Sequence, residues 1–281
     1  YMNNPLTTRI GIKMKKGLRL ARDSKMPLGK NKEFDFAKKH ALCAYRKNAI
    51  YTFIPKNACS TLRYSLGVEN GIIHSADDIS WIHRINNTFS SSLDPIIKAD
   101  YSFVVLRCPY TRLVSVFLDK IVSKNKKFWS KLKINIDDTI SPKTFTFRHF
   151  VEAMSGNLLY ADIHWTPQSH FLIYESYDRY FSVENFSTAI RQLNDDIGFK
   201  VLDARKLTGH GTEQLKRDSS KSFCDVTTEE LNEIKALGRV PAYSNFYDKD
   251  IMRKVQDLFG EDFNIFQKHV GDDKLILNKG T

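Results

Sequence analysis

The feature that most constrains the fold is a unit that occurs twice: a short apolar strand, a basic residue near its end and then a helix. In YTFIPKNACSTLR, a strand is predicted over residues 49–54, Lys56 follows it, and a helix begins at Ser60. The second unit has a continuous apolar strand over residues 100–107, typical of a buried parallel strand, and a helix that begins at Pro109. The sequence therefore predicts an α/β fold: a P-loop-like, doubly wound parallel sheet flanked by helices, in a single domain.

The remaining elements are predicted from periodicity and from their end signals. Residues 1–40 are predicted as a basic N-terminal arm, and residues 41–281 as the folded domain. Residues 124–145 are polar and rich in lysine, and we expect a surface excursion there. A strand followed by a helix is expected at 177–193, and helices are expected at 145–154, 227–238 and 248–260.

The composition indicates a globular protein that binds an anion. The chain has 281 residues, 42% of them hydrophobic, and a net charge of +11, although a basic and unspecialised surface gives the same charge. Its four cysteines include no C-x-x-C pair, which disfavours a zinc site and leaves two disulfide bridges open. No apolar run reaches the about 18 residues of a transmembrane segment. Met2 directly after Tyr1, without a signal peptide, predicts a cytoplasmic bacterial protein; the alternative is a Golgi-lumen domain cut from a membrane anchor.

The loop PKNACST has the composition of an anion site. A helix that begins at Ser60 exposes backbone N–H groups and the positive end of its dipole. Lys56 adds a full charge, and the hydroxyls of Ser60 and Thr61 add donors. The alternative is that Ser60 is only an N-cap and Lys56 a solvated lysine. The loop differs from the nucleotide-hydrolase version, which needs glycine, because no glycine occurs between Tyr51 and Leu66.

The second unit, LRCPYTRLVSVFLDK, supplies further donors at the next strand end. Arg107 ends the strand, and an arginine there can hold a phosphate through two parallel hydrogen bonds. Ser115 and Lys120 follow on the helix. Arg112 is as consistent with a structural ion pair as with a ligand contact. A magnesium-dependent kinase places an acidic residue at this strand end, so the arginine predicts an anion held without a metal.

These motifs resemble the sulfotransferases that use 3′-phosphoadenosine 5′-phosphosulfate (PAPS), in particular the membrane-type carbohydrate branch, family 2. The resemblance includes DIHWTPQSHFL, residues 162–172, which is similar to the H-W-x-P-Q segment of that branch. It implies release of 3′-phosphoadenosine 5′-phosphate (PAP) without a metal, with Arg107 and Ser115 on the 3′-phosphate. The implied 5′-phosphosulfate loop is Pro55, Lys56, Asn57, Ala58, Cys59, Ser60 and Thr61. The segment TGHGTEQ lacks the Asn and final Ser of a later family motif, H-x-N-x-S, which leaves C-terminal nucleotide contacts undetermined.

The general base is expected to be a side chain that titrates near neutrality, and the chain has eight histidines. The resemblance implies His83, because carbohydrate 2-O-sulfotransferases are similar in placing a catalytic histidine between the two nucleotide motifs. Lys56 is expected to assist catalysis by neutralising the leaving phosphate. The alternatives for the base are His164, His74, Glu69 and Asp77. Substrate contacts are expected from the H-W-x-P-Q segment at His164, Trp165 and Gln168.

The acceptor is expected to be a hydroxyl of a polysaccharide, oligosaccharide or glycolipid, and the basic segments favour an acidic one. Three other functions stay open: a divergent P-loop kinase or nucleotide hydrolase, a nucleic-acid-binding module, and a non-catalytic protein that binds polyanions. A kinase predicts magnesium dependence. A nucleic-acid module predicts cations along one helix, whereas the key cations here end two strands. We therefore predict no nucleic-acid partner, and the sequence leaves the oligomeric state undetermined.

Overall fold

A four-stranded sheet forms the centre of the fold in the computed structural model, which describes residues 16–208 and 215–275. The strands lie in the order β1-β2-β3-β4 and are Ala41–Ala44, Ala49–Thr52, Tyr101–Leu106 and Arg179–Ser182. β1 pairs antiparallel with β2, whereas β3 is parallel to both β2 and β4. A separate parallel pair, β5 and β6, consists of Lys216–Asp218 and Arg239–Pro241.

Helices surround the sheet and connect its strands. The α-helices α1 to α12 are Lys32–Lys39, Cys59–Glu69, Ile85–Phe89, Leu93–Lys98, Pro109–Val116, Lys126–Asn135, Phe147–Ala153, Phe186–Ile197, Arg205–Thr208, Thr228–Ala236, Lys249–Leu258 and Gly260–His269. A π-helical turn, Phe117–Ile121, follows α5 directly. The 3-10 turns are Leu28–Lys30, Tyr45–Lys47, Ala76–His83, Asn157–Tyr160, Gln168–Phe171, Val183–Asn185, Tyr243–Phe246 and Asp272–Lys274.

Both faces of the sheet are covered, because successive side chains along a strand point to opposite sides. Tyr51 of β2 and Phe103 of β3 stack with ring centroids 5.1 Å apart and pack in one cluster with α2 and α8 through Leu62 and Leu193. The alternate positions of β2 and β3 belong to a larger cluster with α1, α5, α7 and α11. The predicted α/β fold, with a parallel sheet flanked by helices in one domain, is confirmed.

Several of the observed elements are not predicted from the sequence, among them β1, α6 and α12. α6 lies in the segment that was expected to be a surface excursion. It forms because Phe128, Trp129 and Leu132 make a buried stripe at helical spacing among the lysines. Asn125 caps it, since its side chain accepts the N–H of Lys127 at 3.1 Å.

Residues 16–40 are packed against the domain, although they fall within the predicted arm. Leu18 forms a bridge with Tyr174, and Phe34 of α1 is buried in the larger cluster. The division into an arm and a folded domain at residue 40 stays a prediction. The rest of the arm, residues 1–15, lies outside the described residues.

Two further expectations from the sequence concern the four cysteines and a possible membrane span. All four cysteines are free thiols, so neither of the two disulfide bridges left open by the sequence is formed. Within 16–208 and 215–275, the structure contains no helix with the length and apolar character that a membrane span requires.

The sheet core provides a test of the fold. Phe103 is fully buried, and its ring contacts those of Tyr51 and Phe181. We expect Phe103→Ala to lower the free energy of unfolding by about 3–5 kcal/mol, because the cavity left at the centre of the sheet cannot collapse. Urea denaturation measures this, with Ile190→Ala on the exposed side of α8 as the control, for which about 0.5 kcal/mol or less is expected. Equal losses in the two variants would contradict the assigned core.

Candidate functional site

The loop after β2 is bent by two residues in the left-handed conformation. Lys56 has a φ of 73° and Ala58 a φ of 55°, which costs a residue other than glycine about 1–3 kcal/mol. The bend directs the chain into α2 at Cys59, and Ala58, the residue before it, supplies no side-chain cap. The first N–H groups of α2 and the positive end of its dipole therefore form the start of an anion site.

Lys56 belongs to a cluster of two cations and one carboxylate. Its Nζ lies 2.9 Å from Asp119 Oδ2, and Lys120 Nζ lies 3.1 Å from the same oxygen. Burial lowers the pKa of Lys56, and Asp119 opposes this effect. Burial alone would raise the pKa of Asp119, but the two lysines more than offset it and hold that pKa below its ordinary value. The cluster keeps a net positive charge.

Arg107 joins the loop to the end of β3. Its Nη1 donates to the carbonyl of Lys56 at 2.9 Å, and its Nε donates to Thr111 Oγ1 of α5 at 3.2 Å. The carboxyl ends of neighbouring parallel strands lie at the same edge of a sheet, so the structure brings together the cations that follow β2 and β3.

Gln168 and Trp165, from the H-W-x-P-Q segment, hold the walls of the site. Gln168 Oε1 accepts from Asn57 Nδ2 at 2.6 Å and from the backbone N–H of Arg107 at 3.0 Å, and its Nε2 donates to the Arg107 carbonyl at 2.9 Å. Trp165 is fully buried, and its Nε1 donates to the carbonyl of Leu158 at 2.7 Å. The sequence predicts substrate contacts for both side chains, whereas the structure places both in the interior, where they position their neighbours.

Arg112 is a buried structural cation, which answers the question that the sequence left open. Its Nε donates to the Pro55 carbonyl at 3.2 Å and its Nη1 to the Thr166 carbonyl at 2.9 Å. Burial lowers the pKa of Arg112 to about 10, which still leaves it charged at neutral pH, and the buried carboxylate of Asp262 favours that charge. Asp262 also accepts the backbone N–H of Gln168 at 2.7 Å. One polar network thus connects α5, the loop, the H-W-x-P-Q segment and α12.

A cavity of about 380 Å³ lies beside Arg107, and its walls include Thr111, Glu184, Arg217 and Tyr243. The Cζ atoms of Arg217 and Arg107 lie 4.8 Å and 5.8 Å from the centroid of the Tyr243 ring. Glu184 Oε1 accepts from Thr111 Oγ1 at 3.0 Å. Its Oε2 is buried and has no hydrogen-bond partner among the described residues. Such an oxygen indicates a missing donor.

Tyr243 connects Ser115 to this cavity. Burial alone would raise the pKa of Tyr243, but the positive charges of Arg107 and Arg217 more than offset it, and a hydrogen bond with Ser115 acts in the same direction. Sequence reasoning missed Glu184, Arg217 and Tyr243, because no local pattern marks a residue that meets Arg107 only through tertiary packing. The TGHGTEQ segment lies outside the described residues from position 209 to 214.

The two leading candidates for the base lie in different surroundings. His83 is exposed at the end of a 3-10 turn. The side chain of His164 is 26% exposed, and its Nδ1 lies 2.5 Å from Asp162 Oδ1. Burial lowers the pKa of His164, Asp162 partly opposes this, and the charges of Lys120 and Lys56 lower it further. The base role of His83 stays a prediction.

The comparison with protein families decides the class of this site. The model described as "Sulfotransferase family" matches residues 39–269. The chain belongs to the sulfotransferase family. No curated protein and no solved structure matches it. The match covers the loop, the end of β3, the H-W-x-P-Q segment and the cavity, and it confirms the resemblance inferred from the motifs. Membership of this family gives sulfuryl transfer as the reaction class of the protein.

The buried arginine provides a test of how this sulfotransferase assembles its site. We expect Arg112→Met to lower the free energy of unfolding by about 3–5 kcal/mol, because it leaves buried carbonyls and the carboxylate of Asp262 without their cation. Arg191→Met, at an exposed position of α8, is the matched control and is expected to change stability by about 0.5 kcal/mol or less. Urea denaturation measures both. An Arg112→Met variant as stable as the control would show that the network does not hold the site.

Proposed function

We propose that this sulfotransferase moves the sulfuryl group of PAPS to a hydroxyl of a carbohydrate acceptor, in line and without a metal, and releases PAP. The observation that carries the proposal is the contact between two anion sites: Arg107 Nη1 donates to the carbonyl of Lys56 at 2.9 Å. The loop at α2 therefore adjoins the cavity beside Arg107. PAPS carries a phosphosulfate and a 3′-phosphate on one ribose, and two adjoining anion sites suit such a molecule.

The loop is proposed to bind the phosphosulfate. The backbone N–H groups at the start of α2 and the hydroxyls of Ser60 and Thr61 supply donors, and Lys56 supplies charge to the leaving phosphate. PAPS contributes the activated S–O bond. The protein's part is to orient the reacting groups and to stabilise the charge that develops, as in phosphoryl transfer.

The cavity is proposed to bind the 3′-phosphate and the adenosine. Arg107 and Ser115 are the residues that the family resemblance assigns to the 3′-phosphate, and Arg217 adds a second guanidinium beside them. The ring of Tyr243 offers a flat face to the base. The unpaired Oε2 of Glu184 can accept a hydrogen bond from a ribose hydroxyl or from the adenine amino group.

The acceptor is proposed to be an acidic carbohydrate. α6 carries exposed lysines, including Lys127 and Lys133, and its Lys131 pairs with Asp162 at 2.5 Å, beside His164. A basic helix therefore borders the segment that carries a candidate base. Positive charge at the rim of a cleft raises the local concentration of an anionic substrate.

Titration calorimetry with PAP tests the nucleotide site. We expect PAP to bind without a metal and Arg107→Ala to weaken it by about 10- to 100-fold, since a charge-assisted hydrogen bond is worth about 1.5–3 kcal/mol. Arg107 also holds the loop, so Arg217→Ala serves as a second variant. It removes a guanidinium of the cavity and keeps the contact of Arg107 with the loop, and a loss of about 3- to 10-fold is expected. Arg191→Ala is the control.

The same titration separates the alternatives. Tighter binding of ATP with magnesium than of PAP would favour the kinase or nucleotide hydrolase. Tight PAP binding without transfer of sulfur-35 from labelled PAPS to any polysaccharide would favour a non-catalytic protein that binds polyanions.

Asp119 provides a second prediction for this site. Because its carboxylate competes with a bound anion for Lys56, we expect Asp119→Asn to tighten PAP binding at pH 7 by about 3- to 10-fold at low salt, with a smaller gain at high salt. Asp119 raises the pKa of Lys56, so Asp119→Asn lowers that pKa further. As the pH rises, Lys56 should therefore lose its charge at a lower pH in the variant than in the wild type, and the gain in PAP affinity should disappear with that charge. Asp94→Asn, at an exposed pair on α4, is the control. Weaker PAP binding by Asp119→Asn would contradict the competition.

A further inference from the structure

We propose that His164, oriented by Asp162, is the base that removes the proton from the acceptor hydroxyl. This inference rests on the proposed function and assigns a role within it. Three observations support it: the hydrogen bonds of Asp162, the position of the His164 ring, and the link from that ring to Lys56.

Asp162 is a buried carboxylate that is held by donors on both of its oxygens. Oδ1 lies 2.5 Å from His164 Nδ1 and accepts the backbone N–H of His164 at 3.0 Å. Oδ2 lies 2.5 Å from Lys131 Nζ of α6. Burial alone would raise the pKa of Asp162, but these hydrogen bonds more than offset it and keep the group ionised. The carboxylate therefore has one position, and it fixes the ring of His164.

The ring of His164 contacts this carboxylate and also Phe128, a side chain that the lysine cluster contacts as well. It packs edge-on against Phe128, with ring centroids 5.2 Å apart. Lys120 Nζ lies 5.4 Å from the centroid of the same Phe128 ring and pairs with Asp119, which also holds Lys56. His164 and Lys120 thus contact the same aromatic ring, and Lys120 shares Asp119 with Lys56, the cation that is proposed to stabilise the leaving phosphate.

The charge state of His164 suits a base. An ionised Asp162 accepts a hydrogen bond from the Nδ1–H of His164, which leaves the lone pair on Nε2. Burial, with Lys120 and Lys56, keeps the pKa of the ring below its ordinary value of 6.5 against the opposing effect of Asp162, so the ring is neutral at pH 7. The groups that act on its titration are thus Asp162 and the two lysines, and Lys131 acts through Asp162. The 26% exposure of the side chain leaves an approach for an acceptor.

The step conserves atoms and charge. As the acceptor oxygen forms its bond to sulfur, its proton passes to Nε2 of His164, and the bond from sulfur to the 5′-phosphate oxygen breaks. The electron pair of that bond stays on the phosphate, where Lys56 stabilises it. The imidazolium of His164 is stabilised by Asp162 until its proton leaves to solvent.

The test compares four variants: His164→Gln, Asp162→Asn, His83→Gln and, as the matched control, His269→Gln. His269 stacks on Tyr180, with ring centroids 3.6 Å apart. PAP binding is measured first, by calorimetry, and a change within about twofold is expected throughout because the base does not touch the nucleotide. Transfer of sulfur-35 from labelled PAPS is then measured with hyaluronan as the acidic acceptor, dextran as the neutral one, and water alone.

We expect His164→Gln to lower kcat by about 100- to 10,000-fold, the usual contribution of a general base, with the KM for PAPS unchanged. Asp162→Asn should lower kcat by about 10-fold or more. Asp162 raises the pKa of His164, so the acid limb of kcat/KM should move to lower pH in Asp162→Asn. A merely structural Asp162 would lower stability without moving that limb.

Nitrogen-15 NMR of the histidine rings gives a readout that needs no acceptor. The wild type should hold the His164 proton on Nδ1. A proton on Nε2 in the wild type, or a loss of turnover confined to His83→Gln, would overturn the assignment while leaving the proposed function intact. Failure of the wild type to bind PAP would instead remove the proposed function itself.

Discussion

The buried guanidinium of Arg112 is the interaction on which the rest of the site depends. The side chain of Arg112 extends from α5 and donates to the carbonyls of Pro55 in the loop and Thr166 in the H-W-x-P-Q segment. A buried cation requires all of its hydrogen-bond acceptors, because the loss of any acceptor leaves part of its charge unsolvated and destabilises the fold. Segments distant in sequence are therefore held in one arrangement. The carboxylate of Asp262 extends this arrangement to α12 through the backbone N–H groups of Gln168 and Ser169.

The same contacts hold the loop in a conformation that it would not adopt alone. The strained φ angles belong to Lys56 and Ala58, and such angles persist only where the surroundings impose them. Arg112 binds the carbonyl of Pro55, and Arg107 binds that of Lys56. Asn57, between the strained residues, is anchored to Gln168. The two arginines thus hold the bend from which the donors of α2 are presented.

The sequence predicts the parts of the site that depend on neighbouring residues in the chain, and it does not predict the parts that depend on tertiary packing. The loop around Lys56 and the position of Arg107 are predictable, because a strand, a cation and a helix follow one another in the chain. Arg217 and Glu184 are not, since they meet Arg107 only after β5, β6 and β4 have packed. The sequence does not predict the helix α6, because its lysines outnumber the apolar stripe that includes Phe128 and make the segment polar on average. Whether a helix forms depends on the stripe that it can bury and not on its average polarity. The role of Arg112 depends on carbonyls that no sequence pattern specifies.

The electrostatic balance of the site suits the binding of an anion, as proposed. Lys56 and Lys120 share a single carboxylate oxygen of Asp119, and Arg107 lies against the carbonyl of Lys56. Asp119 compensates one of these partly buried charges, and the remaining positive charge is expected to lower the stability of the protein without a ligand. An anion that carries two or more charges reverses this deficit. Binding of the proposed nucleotide is expected to offset the unfavourable free energy of grouping the cations, which would couple nucleotide affinity to the stability of the loop and of α5.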